Sequence, residues 1–223
     1  MGAGSGFPVD LILFGMIAAF LVLRLRSILG RRTGFERQAP PHQAAAGPNP
    51  AGPVIEGHAE MTAPTTTRTL PDLAGPVGQT LARMRTIDRA FDPAAFLDGA
   101  EKAFRIIVTA FASGDRATLR GLLSDDIYQT FEQVIAAREA AGRTQISTIH
   151  AIHGATIEGA ELRGTTASIT VRFLSDQTSL TKDREGHPVT GTDAVTEITD
   201  IWTFERDLPT RDPVWRLVSA RSA

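Results

Sequence analysis

The stretch FDPAAFLDGAEKAFRIIVTAFASGD, residues 91–115, decides how the folded part of this chain is organised. Asp92 and Pro93 indicate a helix start, because the Asp side chain can accept hydrogen bonds from free backbone amides and Pro fits the first helical position. Gly114 indicates the end of the helix, since glycine readily adopts the left-handed conformation found there. Between these signals, apolar residues recur at helical spacing: Phe96, Leu97, Ala100, Ala103, Phe104, Ile107, Val108 and Phe111. The stretch predicts one long helix with a wide apolar face.

Two shorter helices are predicted directly after it. Asp115 can cap a helix over residues 116–123, and Ser124 can cap another over residues 125–141 that stops at Gly142. The buried side of the last helix is predicted to comprise Ile127, Tyr128, Phe131, Val134 and Ile135. The folded domain therefore begins with three helices.

Beyond residue 142 the apolar period changes to that of β-strands. Alternation is clearest at Ala167, Ile169, Val171 and Phe173. The predicted strands are residues 145–158, 165–175, 193–206 and 214–220. Polar stretches rich in Gly, Asp and Pro separate them, at 159–164, 186–191 and 209–213. Helices followed by such strands predict an α+β fold, in which three helices pack on a curved antiparallel four-stranded sheet.

Composition narrows the range of functions. The 223 residues include no cysteine, which excludes disulfides, thiolate metal sites and a cysteine nucleophile. Residues 91–223 carry 14 Lys and Arg against 19 Asp and Glu, so this mildly acidic domain is not expected to bind nucleic acid. No phosphate loop, nucleophile elbow or zinc spacing is present. We therefore expect no cofactor and no metal.

Residues 7–26 are predicted to be a single transmembrane anchor. Residues 7–23 are apolar except for Asp10, and the basic residues follow this segment instead of preceding it, which argues against a cleaved signal peptide. The alternative is a core helix of a soluble domain. The charges that would set the topology are Arg24, Arg26, Arg31 and Arg32. By the positive-inside tendency, the rest of the chain is expected on the cytoplasmic side of a bacterial inner membrane.

A linker is predicted over residues 31–76. Eight of the thirteen prolines fall between residues 37 and 90, and that stretch contains no Phe, Tyr or Trp. Such a composition cannot bury enough apolar area to fold, so the linker is expected to be disordered. About fifty residues of flexible chain span roughly 40 Å, and proline extends that reach.

The folded domain is expected over residues 77–223, with a leading amphipathic helix over 77–89. Its apolar side recurs at helical spacing at Val77, Leu81, Met84 and Ile87. Its basic residues, Arg83, Arg85 and Arg89, could contact anionic lipid or a protein partner. The alternative is a helix that packs on its own domain, and Gly78 weakens the helix prediction itself.

The candidates for chemistry are few. His150 and His153 are predicted to lie on opposite faces of the first strand and hence not to share a metal ion. Asp200 could point inward as a base, but a solvent-facing or edge position is the commoner arrangement. The aromatic candidates are expected either to form the core or to line an apolar pocket for a lipid or an extended segment: Phe104, Phe111, Tyr128, Trp202, Phe204 and Trp215.

Two runs of sequence resemble the bacterial members of the Tim44-like family: FDPAAFLDGAEKAFRIIVTAFASGDRATLRGLLSDDIYQTFEQVIAAREAAG (91–142) and ITDIWTFERDLPTRDPVWRLVSA (198–220). The resemblance covers about residues 77–222. Its most specific pieces are Ala103 and Phe104 with Ala110 and Phe111 before Gly114, and residues 202–206 before Trp215.

The resemblance implies a nuclear-transport-factor-2-like or cystatin-like fold with a large apolar pocket between helices and sheet. It also implies a role in protein transport or membrane-protein assembly. The mitochondrial member tethers a chaperone motor at the inner membrane through a long N-terminal region. Here a predicted span and a linker replace that region, so the motor contacts are not carried over.

These observations predict a non-enzymatic, membrane-anchored scaffold or chaperone-like protein with protein partners in translocation or assembly. The alternative is a lipid-binding or small-ligand-binding protein, or a diverged enzyme on the same fold. Native mass spectrometry of the isolated domain distinguishes the first hypothesis from the second, and an affinity capture from membranes with the anchor intact would identify the partner.

Overall fold

A computed structural model describes residues 66–223 of the chain. In this range there are four helices, α1 (Pro76–Ile87), α2 (Pro93–Ser113), α3 (Arg116–Leu122) and α4 (Asp125–Ala140). There are also five strands, β1 (Thr67–Thr69), β2 (Thr144–Arg163), β3 (Thr166–Lys182), β4 (Pro188–Asp207) and β5 (Arg216–Ser222). The predicted anchor (7–26), its topology-setting arginines and the linker before residue 66 lie outside the described residues.

The predicted helix boundaries are confirmed from α2 onward. The Asp92 carboxylate accepts a hydrogen bond from the Ala94 amide at the start of α2, and Gly114 ends that helix with a φ of 75°. Asp115 caps α3 by accepting from the Thr118 amide, and Ser124 caps α4. These caps satisfy amides that have no partner within the helix, so the local sequence alone determines where each helix begins.

The sheet has five strands in the order β1-β2-β3-β4-β5, so the prediction of a four-stranded antiparallel sheet is wrong in two respects. Strands β2 to β5 are antiparallel neighbours, as predicted, but β1 adds a parallel strand to the outer edge of β2. Strand β1 has only three residues, and all of them are exposed. It therefore lacks the apolar alternation that reveals a strand in sequence.

The long strands extend beyond their predicted ends. Strand β2 continues through the predicted break at 159–164 to Arg163, and the turn is made at Gly164, with a φ of 62°. Gly159 instead lies at a register shift within β2. The predicted break at 186–191 lies mostly within β4, which begins at Pro188, and the turn instead joins Lys182 of β3 to Pro188. The bulge next to Gly159 keeps this glycine within β2, where the sequence predicted a turn.

The helices bury one face of this sheet. Helix α2 contributes Leu97, Phe104 and Ile107, all nearly inaccessible to solvent. Strand β3 alternates between half-buried and buried residues from Thr166 to Gln177, and its inner side includes Ile169, Val171 and Phe173. This is a single core between a helical layer and a sheet. Among the helices of residues 66–223, none is sufficiently long and apolar to cross a lipid bilayer.

Candidate functional site

The predicted aromatic residues meet between α2 and the middle of the sheet. The ring of Phe104 stacks on that of Phe173 with centroids 4.5 Å apart, and Trp202 packs edge-on against Phe104 at 4.7 Å. Phe204 contacts Phe96 at 6.2 Å. Such offset and edge-to-face contacts are favourable for aromatic pairs, and here they fill the space between the two layers.

The remaining aromatic candidates lie nearer the margin of the core. Phe111 packs edge-on against Phe131 at 4.8 Å, and Trp215 packs against Phe96 at the same distance. Tyr128 is only partly buried, and the guanidinium of Arg120 lies 3.8 Å from its ring centroid. Tyr128 is thus at the surface of the helical layer.

Two concavities lie on the surface of the helices. One, of about 330 Å³, is lined by Tyr128 and its neighbours Arg120, Gln129, Glu132 and Gln133. The other, of about 320 Å³, lies on α2 and α3 and is lined by Arg105, Ile106, Thr109, Ala110, Ser113, Asp115 and Thr118. Both are wide open to solvent. Neither has the enclosed apolar lining expected of a lipid site.

A capping contact within the second concavity perturbs one carboxyl group. The Thr118 hydroxyl donates a hydrogen bond to Asp115 Oδ2 at 2.6 Å. This bond, together with the one from the Thr118 amide, lowers the pKa of Asp115 below its usual value of 3.8. The charged form of Asp115 is the form that caps α3.

A buried polar cluster occupies the inner face of β3, β4 and β5. We define it as the buried residues Ser175, Gln177 and Asp200 together with the half-buried Ser222. Gln177 Nε2 donates to Asp200 Oδ2 at 3.0 Å and to Ser175 Oγ at 2.9 Å. Ser222 Oγ donates to Asp200 Oδ1 at 3.0 Å. Both oxygens of one buried carboxylate are therefore hydrogen-bonded.

The position of Asp200 corrects the sequence interpretation, which favoured a solvent-facing or edge position. Asp200 is only 6% exposed and lies on the same face of β4 as Trp202 and Phe204. Strand alternation dictates this placement, since residues two apart share a face. The sequence interpretation missed Ser175 and Gln177. They continue the alternation of inward-facing residues on β3, in which Phe173 is the last apolar one.

Two bulges also correct the prediction for the histidines. Strand β2 shifts register between Ile149 and Ala151 and again between Ile152 and Gly154, so His150 and His153 are the extra residues. His153 Nε2 lies 2.8 Å from Asp176 Oδ2, and His150 Nε2 lies 3.2 Å from Thr178 Oγ1. These two partners are two residues apart on β3, so both histidines face the same side of the sheet. Within residues 66–223, no three His, Asp or Glu side chains are grouped to hold a metal ion.

Helix α1 ends at Ile87, two residues before the predicted end, and packs on its own domain, while the arginines on it and directly after it stay in solvent. Leu81 and Met84 are buried, whereas Arg83, Arg85 and Arg89 are all exposed. We call these three arginines the basic face. Gly78, which weakened the helix prediction, permits a close approach, because a Cβ atom there would lie 2.3 Å from the Asp72 carbonyl oxygen.

Comparison with known proteins gives one family match. A model described as the Tim44-like domain matches residues 77–222. No curated protein matches the chain significantly.

Three solved structures are similar in fold only. The intermembrane space region of the chloroplast protein ARC6 has a TM-score of 0.43 and 12% identity, and the match covers 59% of this chain and 97% of that one. An NTF2-like family protein from Streptomyces avermitilis has a TM-score of 0.36 and 14% identity, with coverages of 58% and 97%. A conserved protein from Planctomyces limnophilus has a TM-score of 0.32 and 16% identity, with coverages of 55% and 90%. At these values the similarities carry no functional argument.

Proposed function

The chain belongs to the Tim44-like domain family over residues 77–222, and from this premise we propose that it is a non-enzymatic scaffold or chaperone-like protein. It acts in protein transport or in the assembly of membrane proteins, at a bacterial inner membrane. The family match carries the proposal, because it spans the folded domain from α1 to β5. Its partners are proteins of the translocation or assembly machinery.

The filled core supports a scaffold over an enzyme. Phe104, Phe173 and Trp202 are in mutual contact where the resemblance implied a large apolar pocket. The carboxylate that points inward, Asp200, accepts hydrogen bonds from Gln177 and Ser222. A general base needs an oxygen within reach of a substrate proton, and these contacts favour a structural role for Asp200.

Residues 7–26 hold the domain at the membrane as a single-pass anchor in this proposal. Arg24, Arg26, Arg31 and Arg32 keep the following chain in the cytoplasm. The linker then allows the domain to reach partners away from the bilayer surface.

The basic face adds a second contact with the membrane. Its three arginines lie exposed on one short segment, and the nearest exposed apolar side chain on α1 is Ile87. Arginines near an anionic bilayer are attracted electrostatically, and the attraction is screened by salt. We assign this face to anionic lipid headgroups, with a protein partner as the alternative.

Affinity capture tests the proposed function. The full chain, tagged at its C-terminus, is captured from solubilised membranes and compared with a variant that lacks residues 1–30. We expect translocation or assembly proteins with the full chain and their loss with the variant. Fractionation is the control: full-length protein in the membrane pellet supports the proposal, and a shortened soluble chain contradicts it.

The buried polar cluster favours a second candidate function, binding of a small ligand. In folds that contain a ligand pocket, a few inward-facing polar side chains orient the ligand. Native mass spectrometry of residues 66–223, checked for folding by circular dichroism, distinguishes the two. A stoichiometric copurifying metabolite or lipid supports the second candidate, and an unliganded mass supports the scaffold.

A further inference from the structure

Strand β1 differs from every other strand of the described sheet. It pairs in parallel with residues 154–156 of β2, whereas the other neighbouring strands of this sheet are antiparallel. It also precedes the Tim44-like match, which begins at residue 77. The edge of β2 is therefore occupied by a segment from outside the matched domain.

A salt-bridged arginine holds this strand. Arg68 Nε lies 2.8 Å from Asp98 Oδ1, and Arg68 Nη2 lies 2.9 Å from Glu101 Oε2, both carboxylates belonging to α2. Thr66 Oγ1 donates to the other oxygen of Glu101 at 3.0 Å. The side chain of Glu101 is only 12% exposed, and its Oε1 also lies 3.8 Å from Arg105 Nη2 of the same helix. Asp98 and Glu101 therefore place a pair of carboxylates beside the edge of β2, and Arg68 is the cation that β1 brings to them.

The strand itself is weakly held. It has three residues, all exposed, and buries no apolar side chain. Exposed ion pairs contribute little to stability, and segments with few buried contacts open most readily. Strand β1 is thus the part of the described sheet most easily displaced.

The segment between β1 and α1 allows β1 to detach from the sheet while α1 stays packed. Residues 72 and 73 lie against Gly78, where a Cβ atom would be 2.3 Å from the Asp72 carbonyl oxygen. Helix α1 is fixed separately by Leu81 and Met84. Leu70 and Pro71 lie between β1 and this separately anchored segment, and Leu70 is exposed.

We propose that the edge of β2 at residues 154–156, together with Asp98 and Glu101, is an exchangeable strand-addition site. Its external ligand is an extended protein segment that carries Arg or Lys at the position of Arg68. Strand β1 is the internal occupant and competes with that segment. Main-chain bonds to the sheet edge provide affinity, and the carboxylate pair selects the cation.

The proposal deepens the scaffold function and rests on it for the identity of the ligand as a protein partner. Its test requires neither membrane nor partner. If the peptide does not bind, the strand-addition site is refuted and the scaffold proposal still stands. If membrane capture recovers no translocation or assembly protein, the scaffold proposal is refuted and the strand-addition site still stands.

Because the chain contains no cysteine, a disulfide introduced between β1 and β2 can be formed and reduced without competing thiols. Thr69 and Thr156 are directly paired across the two strands, so the double variant Thr69→Cys, Thr156→Cys can form a disulfide that fixes β1 in place. The ligand is a fluorescent peptide copying residues 64–71, PTTTRTLP, and binding is measured by anisotropy with the full chain in mild detergent. We expect binding to the reduced protein and its loss after oxidation, which reduction reverses.

Three comparisons make the result specific. A peptide with Glu in place of Arg should lose binding. The substitutions Asp98→Asn and Glu101→Gln should also abolish binding when they are made in the Arg68→Ala protein, where the internal competitor no longer uses these carboxylates. Arg68→Ala weakens the internal competitor and should raise peptide affinity at least about fivefold, whereas Arg163→Ala, which removes an exposed arginine elsewhere, should not. If the disulfide does not form, the Arg68→Ala comparison decides the outcome.

Three results would overturn the proposal. They are equal binding to oxidised and reduced protein, equal binding of the Arg and Glu peptides, and no binding at about 1 mM peptide.

Discussion

Arg206 of β4 donates a hydrogen bond to the carboxylate of Asp88, which follows α1, and this contact joins two segments 118 residues apart in sequence. The side chains of Arg206 and Asp88 are only 12% and 19% exposed. The guanidinium also lies 5.3 Å from the ring centroid of Trp215. The contact therefore fastens the leading helix to the sheet, and its removal leaves a charge with little access to water.

We expect Asp88→Asn to destabilise the domain by about 2 kcal/mol, because it removes the negative partner of a largely buried guanidinium. Urea unfolding of residues 66–223 measures the change. Asp98→Asn is a control on the surface, where loss of an exposed ion pair should cost less than about 1 kcal/mol. If both substitutions lower the free energy of unfolding equally, the contact between Asp88 and Arg206 stabilises the domain no more than an exposed ion pair does.

Trp202→Ala is expected to cost about 3–5 kcal/mol of unfolding free energy, because Trp202 is 6% exposed and packs on Phe104, Phe173 and Phe204. Tyr128→Ala, at the margin of the core, should cost considerably less. Denaturant unfolding of both variants gives the comparison. A ligand pocket lined by Trp202 would instead tolerate the substitution with little loss of stability.

Low pH should weaken the cap of α3. The pKa of Asp115 is lowered in the folded protein by the Thr118 hydrogen bonds, so the unfolded chain binds this proton more readily. The stabilising effect of the carboxylate is present above pH 3.8, the unfolded value, and is lost as pH falls through the lower folded value. Asp115→Asn keeps a capping side chain but removes the titration. Urea unfolding at pH 5 and pH 2.5 should therefore show a smaller acid loss for this variant than for the wild type, and identical losses would contradict the assignment.

Local signals were sufficient to predict the helices from sequence. Asp92 and Gly114 act within one or two turns, and the apolar stripe between them has the period of a helix. The core aromatics were also identified, because Trp202 and Phe204 alternate on a strand. The α+β fold with helices on one face of the sheet followed from these two periods.

Long-range features could not be predicted in the same way. The sheet faces on which His150 and His153 lie depend on two bulges in β2. The residue types alone do not indicate where a strand has an extra residue relative to its partner. Strand β1 is fixed by Arg68 reaching α2, and Asp200 has partners on two other strands. Each contact joins residues distant in sequence, so only the folded arrangement reveals it.

The anchor prediction makes a claim about topology. Arg24, Arg26, Arg31 and Arg32 should hold the domain in the cytoplasm, because basic flanks resist translocation. Reversing all four to Glu should expose part of the population to protease added outside spheroplasts, whereas the wild-type domain should be protected. Reversal of Arg163, Arg211 and Arg221 is the control, since these exposed residues are more than a hundred positions from the predicted span in sequence. Digestion of the wild-type domain by external protease would refute the cytoplasmic assignment.

The basic face should provide measurable affinity for anionic membranes. Each arginine near such a surface is worth about 1 kcal/mol, so replacing all three with Gln should lower vesicle binding of residues 66–223 by about two orders of magnitude at low salt. Flotation with vesicles of neutral lipid and of about one-third phosphatidylglycerol measures the difference, and binding of the wild type should fall as salt rises, because the contact is electrostatic. The matched control replaces three exposed arginines elsewhere, Arg163, Arg211 and Arg221, so that net charge changes equally. If both triple variants lose the same affinity, net charge alone governs binding and the basic face has no separate role.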